Sequence, residues 1–208
     1  MSYVPQHFRV ADEQTLGEFM RAHDFATIVS NSPDGLVASH LPVLVRPAGT
    51  TVVIAGHMAR ANQHWRLMDG ATPALAIFHG PHGYVSPTLY ATAPAVPTWN
   101  YGVVHAHGLP VANEDETFVR GVLEELVRRY EGSRENGWRP ESLPADYYAG
   151  MRRGIVGFEM PVTRLDGKFK LGQNRSVEDR SRTIAALENS GSPEATRLAE
   201  FMRRNAGI

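Results

Sequence analysis

The residue types best suited to chemistry gather in a few short segments. Gly56-His57-Met58-Ala59-Arg60-Ala61-Asn62 stands where a β-branched run gives way to helical spacing. A strand feeding a helix N-terminus presents free backbone N–H groups and the positive end of a helix dipole, a place that suits an anion. Arg60 can add a bidentate contact to a phosphate or carboxylate, and Asn62 can orient it; a surface arginine beside an ordinary helix start is the plain alternative. Pro97-Thr98-Trp99-Asn100-Tyr101 joins a hydroxyl, an amide and two aromatic rings, the groups on which a planar ring system stacks, although core packing uses the same residues. Tyr101, Val103, His105 and His107 alternate onto one strand face. Two imidazoles so spaced can chelate a metal, and a hydrogen-bonded or interfacial pair has the same spacing. His79-Gly80-Pro81-His82 carries the same two readings. Lys168, Lys170, Gln173 and Asn174 collect donors that could meet a phosphate or carboxylate, or face water. Lys168 and Lys170 are the only lysines. A GC-rich coding bias accounts for the arginine excess, and lysines surviving it would mark places where a compact ammonium is wanted.

The elements that must position these segments follow from spacing. Leu16, Phe19 and Met20 predict a first helix over 11–23, with Asp12 as its cap. Two apolar runs, Phe25 to Ser30 and Leu36 to Val45, flank Ser32-Pro33-Asp34-Gly35 and predict a hairpin. A strand over 51–57 should feed a helix over Ala59 to Met68. Strands over 73–79 and 82–86 precede a Pro-rich loop with Pro87, Pro94 and Pro97, then a long strand over 99–111. Phe118, Val122, Leu126 and Tyr130 recur every four residues and predict an amphipathic helix. Gly132 to Pro144 reads as loop. Ile155 to Leu165 and Lys168 to Leu171 should pair across the turn Asp166-Gly167. Ser176 with Asp179, and Ser192-Pro193-Glu194, predict two C-terminal helices. Six or seven strands with few helices point to an antiparallel barrel with helical additions.

Composition removes several classes. The chain of 208 residues supports one packed domain or one with a small appendage, and its formal net charge of -1 gives no field that collects nucleic acid. With no cysteine there are no disulfides, thiolate nucleophiles, iron–sulfur ligands or Cys-zinc sites, so a metal would rest on the nine histidines or on carboxylates. No apolar run approaches the roughly 20 residues of a membrane span, and Met1-Ser2-Tyr3-Val4-Pro5 opens no signal-peptide pattern, so a cytoplasmic location is expected. Dinucleotide fingerprint, Walker loop, nucleophile elbow and HExxH motif are all absent from the sequence.

Several motifs together resemble the PaiB family. They are Tyr3-Val4-Pro5-x-His7-Phe8, His40-Leu41-Pro42, the Gly56 to Asn62 segment, Pro81-His82-Gly83-Tyr84-Val85-Ser86-Pro87, Val96-Pro97-Thr98-Trp99-Asn100-Tyr101 with His105, and Gly167-Lys168-Phe169-Lys170-Leu171-x-Gln173-Asn174. They run from residue 3 to about 180 in the family's order. The resemblance implies an α+β, split β-barrel fold of the FMN-binding type with peripheral and C-terminal helices. It implies residues 1–175 as the cofactor-binding domain, 176–208 as a helical appendage, and a homodimer with the site at the subunit interface. The family is described as FMN-binding negative transcriptional regulators, and a branch of it binds heme and closes the N–N bond of piperazate from N5-hydroxyornithine. Arg60 and Asn62 inherit contact with the cofactor's anionic group; Trp65, Thr98, Trp99, Asn100, Gln173 and Asn174 are expected around the cofactor. Leu89 stands where the family commonly has an aromatic, which frees space and favours heme over FMN. Gly172 replaces a commoner Ser and puts the family's polar contacts there in doubt.

Three expectations result. The first is a heme b enzyme, with His57 as the metal ligand and His105 second in line, and with Lys168, Lys170 and His105 as catalytic residues on an N-hydroxylated diamino acid. The second is an FMN- or heme-binding regulator without catalysis, for which no helix-turn-helix signature is present. The third is an FMN-dependent reductase, which leaves the histidine-bearing strands unused.

Overall fold

The computed structural model describes residues 3–49 and 51–205. In chain order the elements are β1 (Arg9–Val10), α1 (Glu13–Ala22), β2 (Phe25–Ser32), β3 (Gly35–Ala48), β4 (Thr51–Ala59), β5 (Ala74–Val85), β6 (Thr98–Gly108) and β7 (Val111–Asn113). They continue with α2 (Glu116–Glu131), α3 (Ala145–Arg153), β8 (Ile155–Lys170), α4 (Val177–Glu188) and α5 (Pro193–Asn205). The fold is mixed, with an antiparallel sheet and five α-helices among the described residues. Its hydrogen-bonded order is β1-β8-β4-β3-β2-β5-β6, β7 lies on β8, and β6 also pairs with β8. Among the described residues no helix is long and apolar enough to cross a membrane.

Local chemistry sets the boundaries. Asp12 Oδ2 accepts from Thr15 N at 2.8 Å, Asp115 from Phe118 N at 2.8 Å and Ser176 from Asp179 N at 3.1 Å, each relieving an orphan donor at a helix start. Ser32 pairs with Gly35 across the first hairpin, whose two-residue loop needs the φ of +114° that glycine supplies at 35.

The chain resolves into two compact units. One comprises residues 17–78 and 105–165. On one face of its sheet Val43, Ile54, Phe158 and Met160 are fully buried. On the other, Leu44 of β3 and Ala55 of β4 pack with Val122, Leu126 and Phe118 of α2. The second unit comprises residues 1–16, 79–104 and 166–208, so the two C-terminal helices group with the N-terminus. Phe169 meets Phe201 edge-on at 4.9 Å, and Leu171, Ile184, Leu198 and Met202 are buried there.

Four local expectations are revised. Where two strands over 73–79 and 82–86 were expected, Ala74–Val85 is one strand that continues through Gly80-Pro81. Ile155 to Lys170 is likewise one strand, with no turn at Asp166-Gly167. Gly167 pairs with Val10, and a Cβ there would lie 2.2 Å from Leu16 Cδ2, so its glycine serves a close approach and not a reversal. After β4 the chain makes a turn and then a 3₁₀ helix over Gln63–Leu67, where a helix from Ala59 was expected. Residues 145–153, for which the spacing predicts no element, form α3.

Candidate functional site

In the first unit the segment from His57 to Trp65 is held from several sides. His57 pairs with Gly157 in the β4–β8 ladder and shares a face with Ala55, two residues earlier. Phe118 of α2 fills the space over Gly157, where a Cβ would lie 2.7 Å from its ring. The half-buried imidazole has Nδ1 buried with no hydrogen-bond partner, and burial alone lowers its pKa from the usual 6.5. The ring is therefore neutral at pH 7, the form that ligates metals.

Arg60 and Asn62 have protein partners. Arg60 N donates to Gly154 O at 2.8 Å and Asn62 N to Ala59 O at 2.9 Å, so these N–H groups are not free for an anion. The Arg60 guanidinium donates to Glu114, to Arg153 O at 3.0 Å and to Ile155 O at 3.2 Å. Trp65 Nε1 donates to Arg60 O at 3.0 Å and closes the turn. Asn62 caps the 3₁₀ helix by accepting from His64 N at 3.1 Å, while its Nδ2 donates to Ser39 Oγ at 2.9 Å. Ser39 Oγ in turn lies 2.8 Å from Nδ1 of His64, a fully buried residue whose pKa is lowered by burial. Neither Ser39 nor His64 is singled out by the sequence; the Asn-x-His spacing of a side-chain cap is a local signal for His64 alone.

His105 and His107 share a face of β6, as the alternation predicts. Nε2 of His107 lies 2.8 Å from Arg164 Nη2, which can only donate, so that nitrogen is an acceptor already in use. No group of three metal-ligating side chains forms among the described residues.

In the second unit both lysines lie at the end of β8. Lys168 Nζ donates to Tyr3 O at 3.2 Å and stands 5.4 Å and 5.5 Å from the ring centroids of Tyr3 and Tyr101, within cation–π range of both. Lys170 donates to Thr98 Oγ1. Trp99 is 52% exposed and stacks with His82 at 6.1 Å, with Tyr84 edge-on at 6.4 Å, so it presents an aromatic surface. Asn100 is buried, with Nδ2 3.5 Å from Met202 Sδ. Gln173 is used locally, accepting from Leu171 N at 2.8 Å and donating to Phe169 O at 2.6 Å, while Asn174 is exposed. Gly172 takes a φ of +82°, a conformation that disfavours the serine common at this point of the family motif. Asp179, which the sequence suggests only as a capping partner, is fully buried. It accepts from Ala91 N at 2.6 Å and Thr92 Oγ1 at 2.5 Å, tying the Pro-rich loop to α4.

Comparison with known proteins supplies a family. Residues 2–164 match the family described as "Putative FMN-binding domain". Protease synthase and sporulation protein PAI 2 of Bacillus subtilis is 32% identical over 200 residues, covering 96% of both chains. Among solved structures, the flavocytochrome Anf3 of Azotobacter vinelandii superposes with a TM-score of 0.63 at 14% identity, covering 86% of this chain and 78% of the other. The FAD and heme binding protein of Mycobacterium smegmatis gives 0.61 at 15% identity, covering 86% and 79%. At these identities the structural likeness speaks for the fold alone. With its family model spanning most of the sequence and a PAI 2 relative aligned almost end to end, the chain belongs to the PaiB-like family of FMN-binding domains.

Proposed function

We propose that this chain is a heme b protein of the PaiB-like family, with His57 as the axial ligand, acting as a homodimer on an N-hydroxylated diamino acid. His57 is the observation that carries the reading. Burial favours its neutral imidazole and Nδ1 is buried without a partner, so the proposed iron bond is through Nε2. Heme needs one protein ligand, which is what this site offers. Arg60 is already paired with Glu114, so it has less charge to give to an FMN phosphate than an unpaired arginine would. The names of two structural neighbours, a flavocytochrome and an FAD and heme binding protein, are in keeping with a barrel that takes either group. Pairing of β6 with both β5 and β8 supports closure of the sheet into that barrel. The exposed Trp99 and Tyr84 support a face that a second subunit or a flat ligand covers.

The substrate proposed is N5-hydroxyornithine, giving piperazate and water. The α-amine nitrogen forms a bond to N5, the N5–O bond breaks with its electron pair leaving on oxygen, and an amine proton leaves with it as water. Bound heme would supply a Lewis-acidic iron that polarises the N–O bond. In this reading His105 takes the amine proton, and Lys170, which donates to Thr98, or Lys168, which lies near two tyrosine rings, gives a proton to the departing oxygen so that it leaves as water. A second reading, an FMN-binding regulator without catalysis, is favoured by the family description over residues 2–164. An absorption spectrum of the protein supplied with both cofactors separates the two. The first reading expects a Soret band and turnover of N5-hydroxyornithine that falls in Lys170→Ala; a flavin spectrum alone supports the second.

A further inference from the structure

A cavity of about 400 Å³ opens in the first unit beside the Arg60 turn. Arg60 and Ile155 border it from the paired ends of β4 and β8, where Ala59 and Ile155 are partners. Glu114, Glu116 and Val119 border it from the start of α2, and Ala149, Arg152 and Arg153 from α3. Three arginines and two glutamates thus line one small space together with Val119, Ala149 and Ile155. Arg152 is the least ordinary of them. Its side chain is only 16% exposed, its Nη2 is 3.0 Å from Glu116 Oε1, and the group lies 5.1 Å from the Tyr148 ring centroid. Its Nε, however, is buried without any hydrogen-bond partner. A buried charged donor left unmatched is costly. An acceptor arriving in the cavity would remove that cost, and the Nε–Nη edge of a guanidinium fits a carboxylate with two parallel bonds.

The remaining charges narrow the ligand. Glu116 is 77% and Glu114 54% exposed at the side chain, so both carboxylates keep oxygens free of their arginines. An isolated anion would meet these carboxylates as well as the arginines, whereas a molecule bearing a carboxylate and an ammonium satisfies both signs. We infer that this cavity is a binding site for a free amino acid, its carboxylate on Arg152 and Arg153 and an ammonium on Glu114 or Glu116. The inference does not depend on the proposed function, since a free amino acid would bind here whether or not heme does.

The test is calorimetric titration of the cofactor-free protein with L-ornithine, with 1,4-diaminobutane as the analogue lacking the carboxylate. Ornithine should bind and the diamine should not. Arg152→Lys keeps the charge and can keep the Glu116 pair but has no Nε, and it should weaken ornithine binding about tenfold or more, the worth of one charged hydrogen bond. Glu116→Gln reads the other end of the ligand and should also weaken binding, which keeps the proposal testable if Arg152→Lys does not fold. No heat with ornithine, or equal binding of ornithine and diamine, overturns the inference. So does full affinity in a folded Arg152→Lys protein. Heme and flavin spectra on the same preparation keep the two ideas apart: ornithine binding without a Soret band sinks the heme reading and spares the cavity, and the converse spares heme alone.

Discussion

At the scale of single residues, two histidines govern how the first unit responds to acid. Burial lowers the pKa of both His57 and His64 from 6.5. The unfolded chain therefore binds these protons more readily than the folded one, and stability rises with pH where only the unfolded histidines are protonated. Stability from this source is full above pH 6.5 and is lost as the pH falls from there through the lowered folded values. Urea midpoints measured on either side of pH 6.5 should show the drop, and the double variant His57→Gln/His64→Gln should show a shallower one. Asp179 has the opposite chemistry and the same sign. Hydrogen bonds from Thr92 and Ala91 hold its pKa below 3.8, so its contribution is present at neutral pH and disappears only in strong acid. Asp179→Ala should lower the melting temperature and raise proteolysis within 91–97, read by mapping the cleavage sites. His57 and Arg60 stand out in the sequence because they share one short motif with Asn62. The Ser39–Asn62–His64 set does not, because Ser39 and His64 meet 25 residues apart and nothing local announces a long-range bond.

At the scale of elements, the reading succeeded where a periodic pattern met a cap. Asp12 and Ser176 begin α1 and α4 as expected, α2 begins at an Asp115 cap that the spacing alone does not name, and the burial of Val122 and Leu126 follows the four-residue repeat. It failed where glycine was taken as punctuation. Asp166-Gly167 has the chemistry of a tight turn, yet Gly167 is there because Leu16 and Val10 O leave no room for a Cβ. This makes a sharp prediction. Gly167→Ala should destabilise the fold by about 1–3 kcal/mol through overpacking, measured as a fall in the urea midpoint at unchanged slope. Asp166→Asn, which would strengthen a two-residue hairpin turn, should do nothing comparable. Gly157→Ala should also destabilise, since its Cβ would meet the Phe118 ring that covers the neighbourhood of His57. Helix α3 escaped detection because Ala145 to Arg153 is short and lacks both a polar N-cap and a clear apolar stripe; Pro144 precedes it and none of its residues is fully buried.

At the scale of the whole molecule, the antiparallel sheet and the two C-terminal helices could be read from strand count and capping signals, and the family from motifs spread along the chain. The partition into units could not. Residues 1–16, 79–104 and 166–208 form one compact body from three separate stretches, a grouping that depends on contacts and leaves no local trace. The anion-binding segment needs the largest revision in meaning. Its expected helix start is a turn in which the N–H groups of Arg60 and Asn62 are bonded within the chain, so in the proposed reading a cofactor there would be held by side chains, His57 first. Homodimerisation is expected to show as a mass twice 22.9 kDa in sedimentation equilibrium, with Trp99→Glu shifting the protein toward monomer.

The central claim is iron ligation by His57, and one titration tests it most directly. Purified wild-type protein and His57→Ala are each mixed with hemin in the presence of FMN and followed by absorption. The account predicts a saturable Soret band in the wild type that His57→Ala loses or shifts to an unligated form. A flavin spectrum alone in the wild type, or an unchanged Soret band in His57→Ala, would contradict it.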